Sequence, residues 1–203
     1  MFDNFMAYPM ICFCDIPISR ISDHTAFYGS YGLGLTKDWG LKNGLTPLIY
    51  ASPGSAATKT VDYFLNNLNF FGVPDADART RQAREIMCSL MTLIKPIKGN
   101  MLIGGVPTEK EFYQENEWRY VPPGWDIISE PDYARDKDAL NKKMEAHKLE
   151  FSPNDVRYIF VPDDTGIPAL VDFIDQEMGR FPHNDVKMLT TRLISLETIA
   201  KDM

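Results

Sequence analysis

Residues 112–122 read FYQENEWRYVP, the most unusual stretch of the chain. From Glu117 onward, aromatic and branched residues predict a strand. Successive side chains of a strand point to opposite faces, so Glu117 and Arg119 share one face while Trp118 and Tyr120 share the other. The sequence therefore places a carboxylate beside a guanidinium on one face of a strand.

This pair of charges has two interpretations. In a functional site, Glu117 could hold a hydroxyl group or stabilise a cationic transition state, and the planar fork of Arg119 could bind a phosphate or carboxylate. In a structural role, the two residues would form an ordinary surface ion pair or a structural pairing under the helical insertion. The residue types leave both interpretations open.

A second group of candidate residues lies in two nearby segments, CFCDIPIS at residues 12–19 and YGSYGLG at residues 28–34. The apolar run before Asp15 is short and rich in strand formers, so Asp15 lies just beyond a predicted strand. Polar groups at such loops often bind ligands. The alternative role of Asp15 is to cap the turn that follows.

The rest of the chain alternates short strands with helices. Strands are predicted at 31–36, 45–51 and 156–161, and helices at 37–43 and 168–178, while 186–194 fits either. Thr36 is the predicted N-cap of the first of these helices. A further amphipathic helix carries Ile86 and Leu90 on its apolar face. We therefore predict an α+β fold with a mixed, twisted sheet and helices packed on it.

The length of 203 residues predicts a single domain over residues 1–203, with enough chain to bury a core. Residues 124–149 are highly charged. This segment is predicted to be a mobile insertion that contains a helix from about Asp136 to Lys148.

Composition and charge narrow the class of protein. Hydrophobic residues make up 44% and charged residues 24%, values that exclude a disordered or fibrous chain. The 21 basic and 28 acidic residues give a net charge of −7, which argues against a nucleic-acid coat and a membrane-surface binder. No apolar run approaches the ~18 residues of a membrane helix, and the N-terminus has no signal-peptide pattern. We expect a cytoplasmic protein without membrane contact.

Cysteine and histidine usage predicts neither a disulfide framework nor a metal site. The chain has three cysteines, an odd number that fits a reducing compartment. Its three histidines are scattered along the sequence, without the spacing of metal ligands.

Several motifs follow one another in an order that is specific to one family. They are CFCDIPIS, YGSYGLGLTKDWGLKNGLTPLIY, KPIKG, FYQENEWRYVP, LEFSPNDVRYIFVP and LTTRLIS. This succession resembles the AbiGi family of abortive phage-resistance proteins. The resemblance runs from about Met10 to the C-terminus and so covers nearly the whole chain.

The resemblance implies a role in bacterial defence against phage. Members of the family are described as the antitoxin-like partner of a nucleotidyltransferase-like toxin in a two-gene abortive-infection system. We therefore expect this chain to act by binding a partner protein, a cognate toxin, without a cofactor and without nucleic acid. Whether the chain is also an enzyme is left open by the family.

A weaker, fold-level similarity to DarT-like ADP-ribosyltransferases supplies the alternative function. In those enzymes a strand glutamate orients the acceptor and supports an oxocarbenium-like transition state; Glu117 would be the matching residue, supported by Arg119. NAD would then lie in a cleft between segments 12–19 and 45–52. Tyr31 or Tyr50 would stack on the nicotinamide ring. The candidate cofactor-binding residues are Asp15, Ser19, Tyr31, Tyr50 and Ser52.

The sequence departs from these relatives at its N-terminus. AbiGi-like chains carry an extra strand and helix ahead of the CFCDIP segment, whereas this sequence begins almost directly at that segment. In the transferase analogy, the additional piece would hold the histidine that binds the ribose of NAD. We therefore expect a weak or inactive transferase, which favours the binding role.

Overall fold

The computed structural model describes residues 6–67, 77–125 and 128–202. The fold is α+β, as predicted, and its short strands form several small sheets. The helices are α1 (Ile21–Tyr28), α2 (Lys37–Lys42), α3 (Ala56–Asn67), α4 (Ala78–Met91), α5 (Glu130–Met144), α6 (Ile167–Glu177), α7 (His183–Thr190) and α8 (Leu196–Asp202).

The strands are mostly two to five residues long. They are β1 (Met6–Ala7), β2 (Ile11–Cys14), β3 (Gly32–Leu35), β4 (Thr46–Pro47), β5 (Ile49–Ala51), β6 (Ile94–Pro96), β7 (Gly99–Ile103), β8 (Val106–Lys110), β9 (Glu117–Tyr120), β10 (Ile128–Ser129), β11 (Val156–Val161) and β12 (Leu193–Ser195). The segment that fitted either a strand or a helix contains both, the end of α7 followed by β12.

The chain divides into two compact units, and each unit is assembled from separate pieces of sequence. The first unit comprises residues 1–15 and 45–148, and the second comprises 16–44 and 149–203. The single domain over residues 1–203 stays a prediction. In the charged segment, the predicted helix is present as α5, which begins earlier than expected because Ser129 caps it by accepting a hydrogen bond from the Asp132 N–H. The mobility of that segment also stays a prediction.

Strand β9 is the middle strand of the main sheet of the first unit. Both β2 and β4 run antiparallel to it, while β5 and β6 pair in parallel. Leu48 connects β4 to β5, and its N–H donates to the Glu117 carbonyl at 2.9 Å. The next N–H, of Ile49, donates to the Leu93 carbonyl at 2.8 Å. Residues 46–51 therefore act as one strand between β9 and β6, as the sequence predicted.

Helix α4 confirms the predicted helix but not its predicted buried face. Ile86 is 60% exposed and Leu90 is 40% exposed, whereas Met91 at the end of the helix is buried at 8%. The 3.6-residue period identifies an apolar stripe, but it does not determine which side of a helix meets the rest of the fold.

The second unit is built on the sheet β12-β11-β3. Strand β11 pairs in parallel with β12 and antiparallel with β3, so this sheet is mixed, as predicted. Its apolar core consists of Val156 from β11, Ile174 from α6, and Val186 and Leu189 from α7. The sequence located β11 and α6, whereas α7 and β12 fall in the segment that fitted either a strand or a helix.

Two local features fix strand β3 and the helix after it. A Cβ atom added at Gly32 would overlap the ring of Phe160, so the ring packs directly on the backbone of β3. At the start of α2, the Thr36 hydroxyl accepts a hydrogen bond from the Trp39 N–H at 3.3 Å, which confirms the predicted N-cap.

Candidate functional site

The alternation predicted for EWRYV is present, and its charged face is the buried one. Glu117 is 3% exposed and Arg119 is 5% exposed, while Trp118 and Tyr120 on the other face are half-buried. The Arg119 guanidinium donates to Glu117 Oε1 from Nε at 3.0 Å and from Nη2 at 2.7 Å. The two residues therefore form a buried ion pair along one strand and not a surface pair.

Two lysines extend this pair into a larger network. The Nζ of Lys95 on β6 lies 2.6 Å from Glu117 Oε2 and 2.7 Å from Glu115 Oε2. The Nζ of Lys110, at the end of β8, lies 2.8 Å from Glu115 Oε1. Both oxygens of each glutamate therefore face a cation. We name Lys95, Lys110, Glu115, Glu117 and Arg119 the charge cluster.

An unusual backbone conformation brings the two glutamates together. Among the described residues, Asn116 is the only non-glycine residue with a positive φ, of 44°. Asn116 also donates its side-chain amide to Asp15 Oδ2 at 3.2 Å, and its carbonyl accepts from the Asp15 N–H at 3.3 Å. This left-handed turn lets Glu115 and Glu117 reach the same lysine Nζ.

Neutral groups fill the remaining hydrogen-bonding positions around the cluster. The Nη1 of Arg119 donates to the hydroxyl of Tyr8 at 2.9 Å and to the carbonyl of Thr92. The hydroxyl of Tyr50 accepts from the backbone N–H of Glu117 at 2.8 Å. Buried charges are tolerated when they are paired and hydrogen-bonded in this way.

The cluster favours the ionised forms of Glu117 and Lys95. Burial opposes ionisation of Glu117, but hydrogen bonds from Cys12, Lys95 and Arg119 outweigh it, so the pKa of Glu117 lies below its usual value. Burial likewise opposes protonation of Lys95, but the hydrogen bonds and charges of Glu115 and Glu117 outweigh it and raise the pKa of Lys95. These opposing shifts stabilise the ion pairs.

The two cysteines of β2 lie on the same face as the cluster. Cys12 pairs across the sheet with Arg119, and Cys14 with Glu117. Burial and the hydrogen bond with Glu117 raise the pKa of Cys12 to about 11, and burial followed by the charges of both cluster glutamates raises the pKa of Cys14 to about 12. Both thiols are therefore protonated at neutral pH and are poor nucleophiles.

The structure places the predicted site residues in both units. In the first unit, Tyr50 contacts Glu117, Asp15 contacts the neighbouring Asn116, and Ser52 lies exposed in the turn after β5, where its carbonyl accepts from the Ser55 N–H at 3.1 Å.

The other two cofactor candidates belong to the second unit. Ser19 is exposed in a short 3₁₀ turn, and Tyr31, 74% exposed, lies just before β3. The catalytic roles of Glu117 and Arg119 and the cofactor-binding roles of all five other candidates stay predictions.

Sequence reasoning missed both lysines of the cluster. Lys95 stands between Ile94 and Pro96 in a short apolar strand, and a single charge inside such a run is the signal that could have identified it. Lys110 gives no comparable signal, because it ends a hairpin strand among polar residues. Lys95 reaches the cluster because β6 pairs with β5, which continues the strand that runs beside β9.

The arrangement is suited to holding a fold together more than to binding a ligand. Glu117 meets a cation at each oxygen, and a substrate hydroxyl would have to displace one of these contacts. Among the described parts of the chain, no group of three His, Cys, Asp or Glu side chains is arranged to hold a metal ion. Within those same parts, no helix is both long and apolar enough to cross a membrane.

Fold and site together define an α+β protein that holds a paired network of buried charges on one face of a sheet. Comparison with known sequences then gives the family. A family model described as “Putative abortive phage resistance protein AbiGi, antitoxin” matches residues 4–162. The chain belongs to this AbiGi family of abortive phage-resistance proteins, which confirms the resemblance seen in the motifs.

One curated relative and the search of solved structures complete the comparison. A protein named “Abortive phage resistance protein AbiGi” from Lactococcus lactis subsp. cremoris is 28% identical over 220 residues, covering 96% of this chain and 88% of the relative. No solved structure gives a significant match.

Proposed function

We propose that this chain is the antitoxin-like member of an abortive-infection system and acts by binding a cognate toxin. The family description names an antitoxin, and an antitoxin needs a partner to act on. The net charge of −7 suits a partner protein with a basic surface better than nucleic acid. The proposed place of action is the cytoplasm.

The observation that carries this proposal is that the charged groups of the cluster are paired with one another and that its glutamates and arginine are buried. Glu117 is 3% exposed, and each of its oxygens accepts hydrogen bonds from a cationic side chain. A catalytic carboxylate must reach a substrate, whereas a structural carboxylate needs only its partners. The geometry therefore favours a role in which the first unit presents a surface.

The test is co-expression of the chain with the protein encoded by its neighbouring gene. We expect the two proteins to purify together and the chain to restore growth of cells that express the neighbour. The control is the same chain with Arg119→Ala, which destabilises the first unit and should weaken the rescue. A chain that purifies alone and restores no growth contradicts the proposal.

A second candidate function is an ADP-ribosyltransferase-like activity with Glu117 as the catalytic residue. It is favoured by one observation, that Glu117, Arg119 and Tyr50 meet on one sheet face. An NAD-binding chain would be stabilised by ~2.7 kcal/mol at a ligand concentration about 100-fold above its dissociation constant.

Thermal unfolding with millimolar NAD distinguishes the two functions. If the chain is a transferase, NAD should raise its melting temperature. Glu117→Gln should abolish this rise, whereas the control Glu109→Gln, at an exposed position, should retain it. An unchanged melting temperature of the unmodified chain contradicts the transferase and leaves the binding role.

A further inference from the structure

The central strand β9 of the main sheet carries the buried Glu117 and Arg119 on one face and the aromatic Trp118 and Tyr120 on the other. Because cross-strand partners share a face, Trp118 lies beside Phe13 and Pro47, and Tyr120 lies beside Ile11. Tyr50 and Lys95 point to the charge cluster, so Ile49 next to Tyr50 points the other way. We name the resulting set the outer face, formed by Ile11, Phe13, Pro47, Ile49, Trp118 and Tyr120.

The outer face reverses the usual arrangement of a one-sided sheet. Antiparallel sheets commonly pack an apolar face on the core and expose a polar one. On the central strand β9, Glu117 and Arg119 are buried while Trp118 and Tyr120 of the outer face are half-buried. Beside them on the outer face, Ile11 is 42% exposed, Ile49 is 47% exposed and Pro47 is also exposed. Exposed apolar side chains that neighbour one another across a sheet are candidates for an interaction site, and tryptophan and tyrosine are the residues that contribute most to such sites.

The charges of the molecule indicate what covers this face. None of its six residues is charged, so a charged or phosphate group placed on it would lose water without gaining a counter-charge. A second copy of the chain would bring another net charge of −7 toward the first. A protein with an uncharged apolar patch inside basic surroundings meets both conditions.

We infer that the outer face is the docking surface for the partner protein, which presents an uncharged apolar patch with a basic rim. This inference rests on the proposed antitoxin role and adds to it the surface and the kind of contact. Trp118 and Tyr120 form its centre, and the exposed isoleucines Ile11 and Ile49 flank them. The charge cluster fixes the register of the sheet that presents these residues.

The test uses the full chain and the purified product of its neighbouring gene as the probe. The variants are Ile49→Asp and the double variant Ile11→Asp/Ile49→Asp, because both positions are already exposed and tolerate a charge in the free chain. The matched control is Ile86→Asp, an isoleucine that is 60% exposed on α4 and does not belong to the outer face. Affinity is measured by calorimetric titration, and folding by the melting temperature.

We expect Ile49→Asp to weaken binding at least 10-fold, the double variant at least 100-fold and Ile86→Asp less than 2-fold. All three should keep the melting temperature of the unmodified chain. Equal affinity of Ile49→Asp and the unmodified chain overturns the inference while leaving the antitoxin role intact. An unmodified chain that does not bind the neighbour contradicts the antitoxin role itself.

Two further outcomes identify a different occupant, and either one overturns the inference. If the isoleucine variants unfold the free chain and Ile86→Asp does not, the outer face is covered by the chain itself. If the unmodified chain has twice its monomer mass in solution and Ile49→Asp restores the monomer, the occupant is a second copy.

Discussion

The interiors of the two units of this protein are stabilised by opposite kinds of interaction. The centre of the first unit is a set of ion pairs around Glu117 and Arg119, 3% and 5% exposed. The centre of the second unit is aliphatic, with Val156 at 1% and Ile174 at 2% exposure. The central residues of both units are buried. The stability of the first unit depends on the presence of every charged partner, whereas that of the second depends on close packing of its aliphatic side chains.

The difference predicts that a single substitution destabilises the two units for different reasons. A buried ion pair adds little net stability, but the loss of one partner leaves an uncompensated charge inside the fold. An aliphatic core loses only transfer and cavity energy in proportion to what is removed. The following substitutions test this contrast, beginning with the largest expected effect.

Arg119→Ala should give the largest loss. It removes the donor groups to Glu117 Oε1, to the Tyr8 hydroxyl and to the Thr92 carbonyl, and we expect about 3–5 kcal/mol of destabilisation. Chemical denaturation measures the free energy of unfolding. The control is Arg135→Ala, an exposed arginine whose ion pairs lie on the surface of α5 and whose loss should leave the unfolding midpoint nearly unchanged. Similar midpoints for the two variants would show that the charge cluster adds nothing.

Ile174→Ala should destabilise the second unit by about 2–5 kcal/mol, because it leaves a cavity in a fully buried core. In contrast to Arg119→Ala, its effect should stay the same between pH 5 and pH 8, because no titratable group loses a partner. Denaturation at the two pH values checks this prediction, with the conservative Ile174→Val expected to lose about 0.5–1.5 kcal/mol. A strong pH dependence of the Ile174→Ala effect would remove the contrast between the units.

Gly32→Ala should destabilise the second unit by about 1–3 kcal/mol, since the added methyl group would overlap the Phe160 ring. Gly179 is the matched control, because a Cβ atom there meets nothing within 4 Å. We expect Gly179→Ala to leave the melting temperature within about 2 °C of the unmodified chain. Equal losses for both variants would mean that the ring does not pack on the strand.

Glu117 should make the stability of the first unit depend on pH. The pKa of Glu117 is lowered in the folded state, so the unfolded state binds more protons as the pH falls. The stabilisation is complete above the unfolded pKa of about 4.3 and is lost as the pH falls through the lower folded pKa. Denaturation from pH 7 to pH 3 should show this decline, with a shallower slope in Glu117→Gln. Ile174→Val should shift the whole curve and keep the slope; an unchanged slope in Glu117→Gln would contradict the assignment.

The sequence predicted the elements of this fold better than its contacts. The strand at Glu117, its alternation, the Thr36 cap and the α6 helix all follow from local signals, namely period, turn chemistry and capping. The burial of Glu117 and the recruitment of Lys95 do not, because they depend on which strands pair across the sheet. A local pattern records the faces of a strand but not which face is covered.

The central claim is that this chain works by binding a partner through an apolar sheet face, while the residues of the charge cluster are paired with one another and its glutamates and arginine are buried. The most direct test is calorimetric titration of the unmodified chain with the product of its neighbouring gene at several temperatures and salt concentrations. Burial of apolar surface predicts saturable binding with a clearly negative heat-capacity change, and the basic rim of the partner predicts an affinity that falls as the salt concentration rises. Absence of binding, or binding with no heat-capacity change, would contradict the claim.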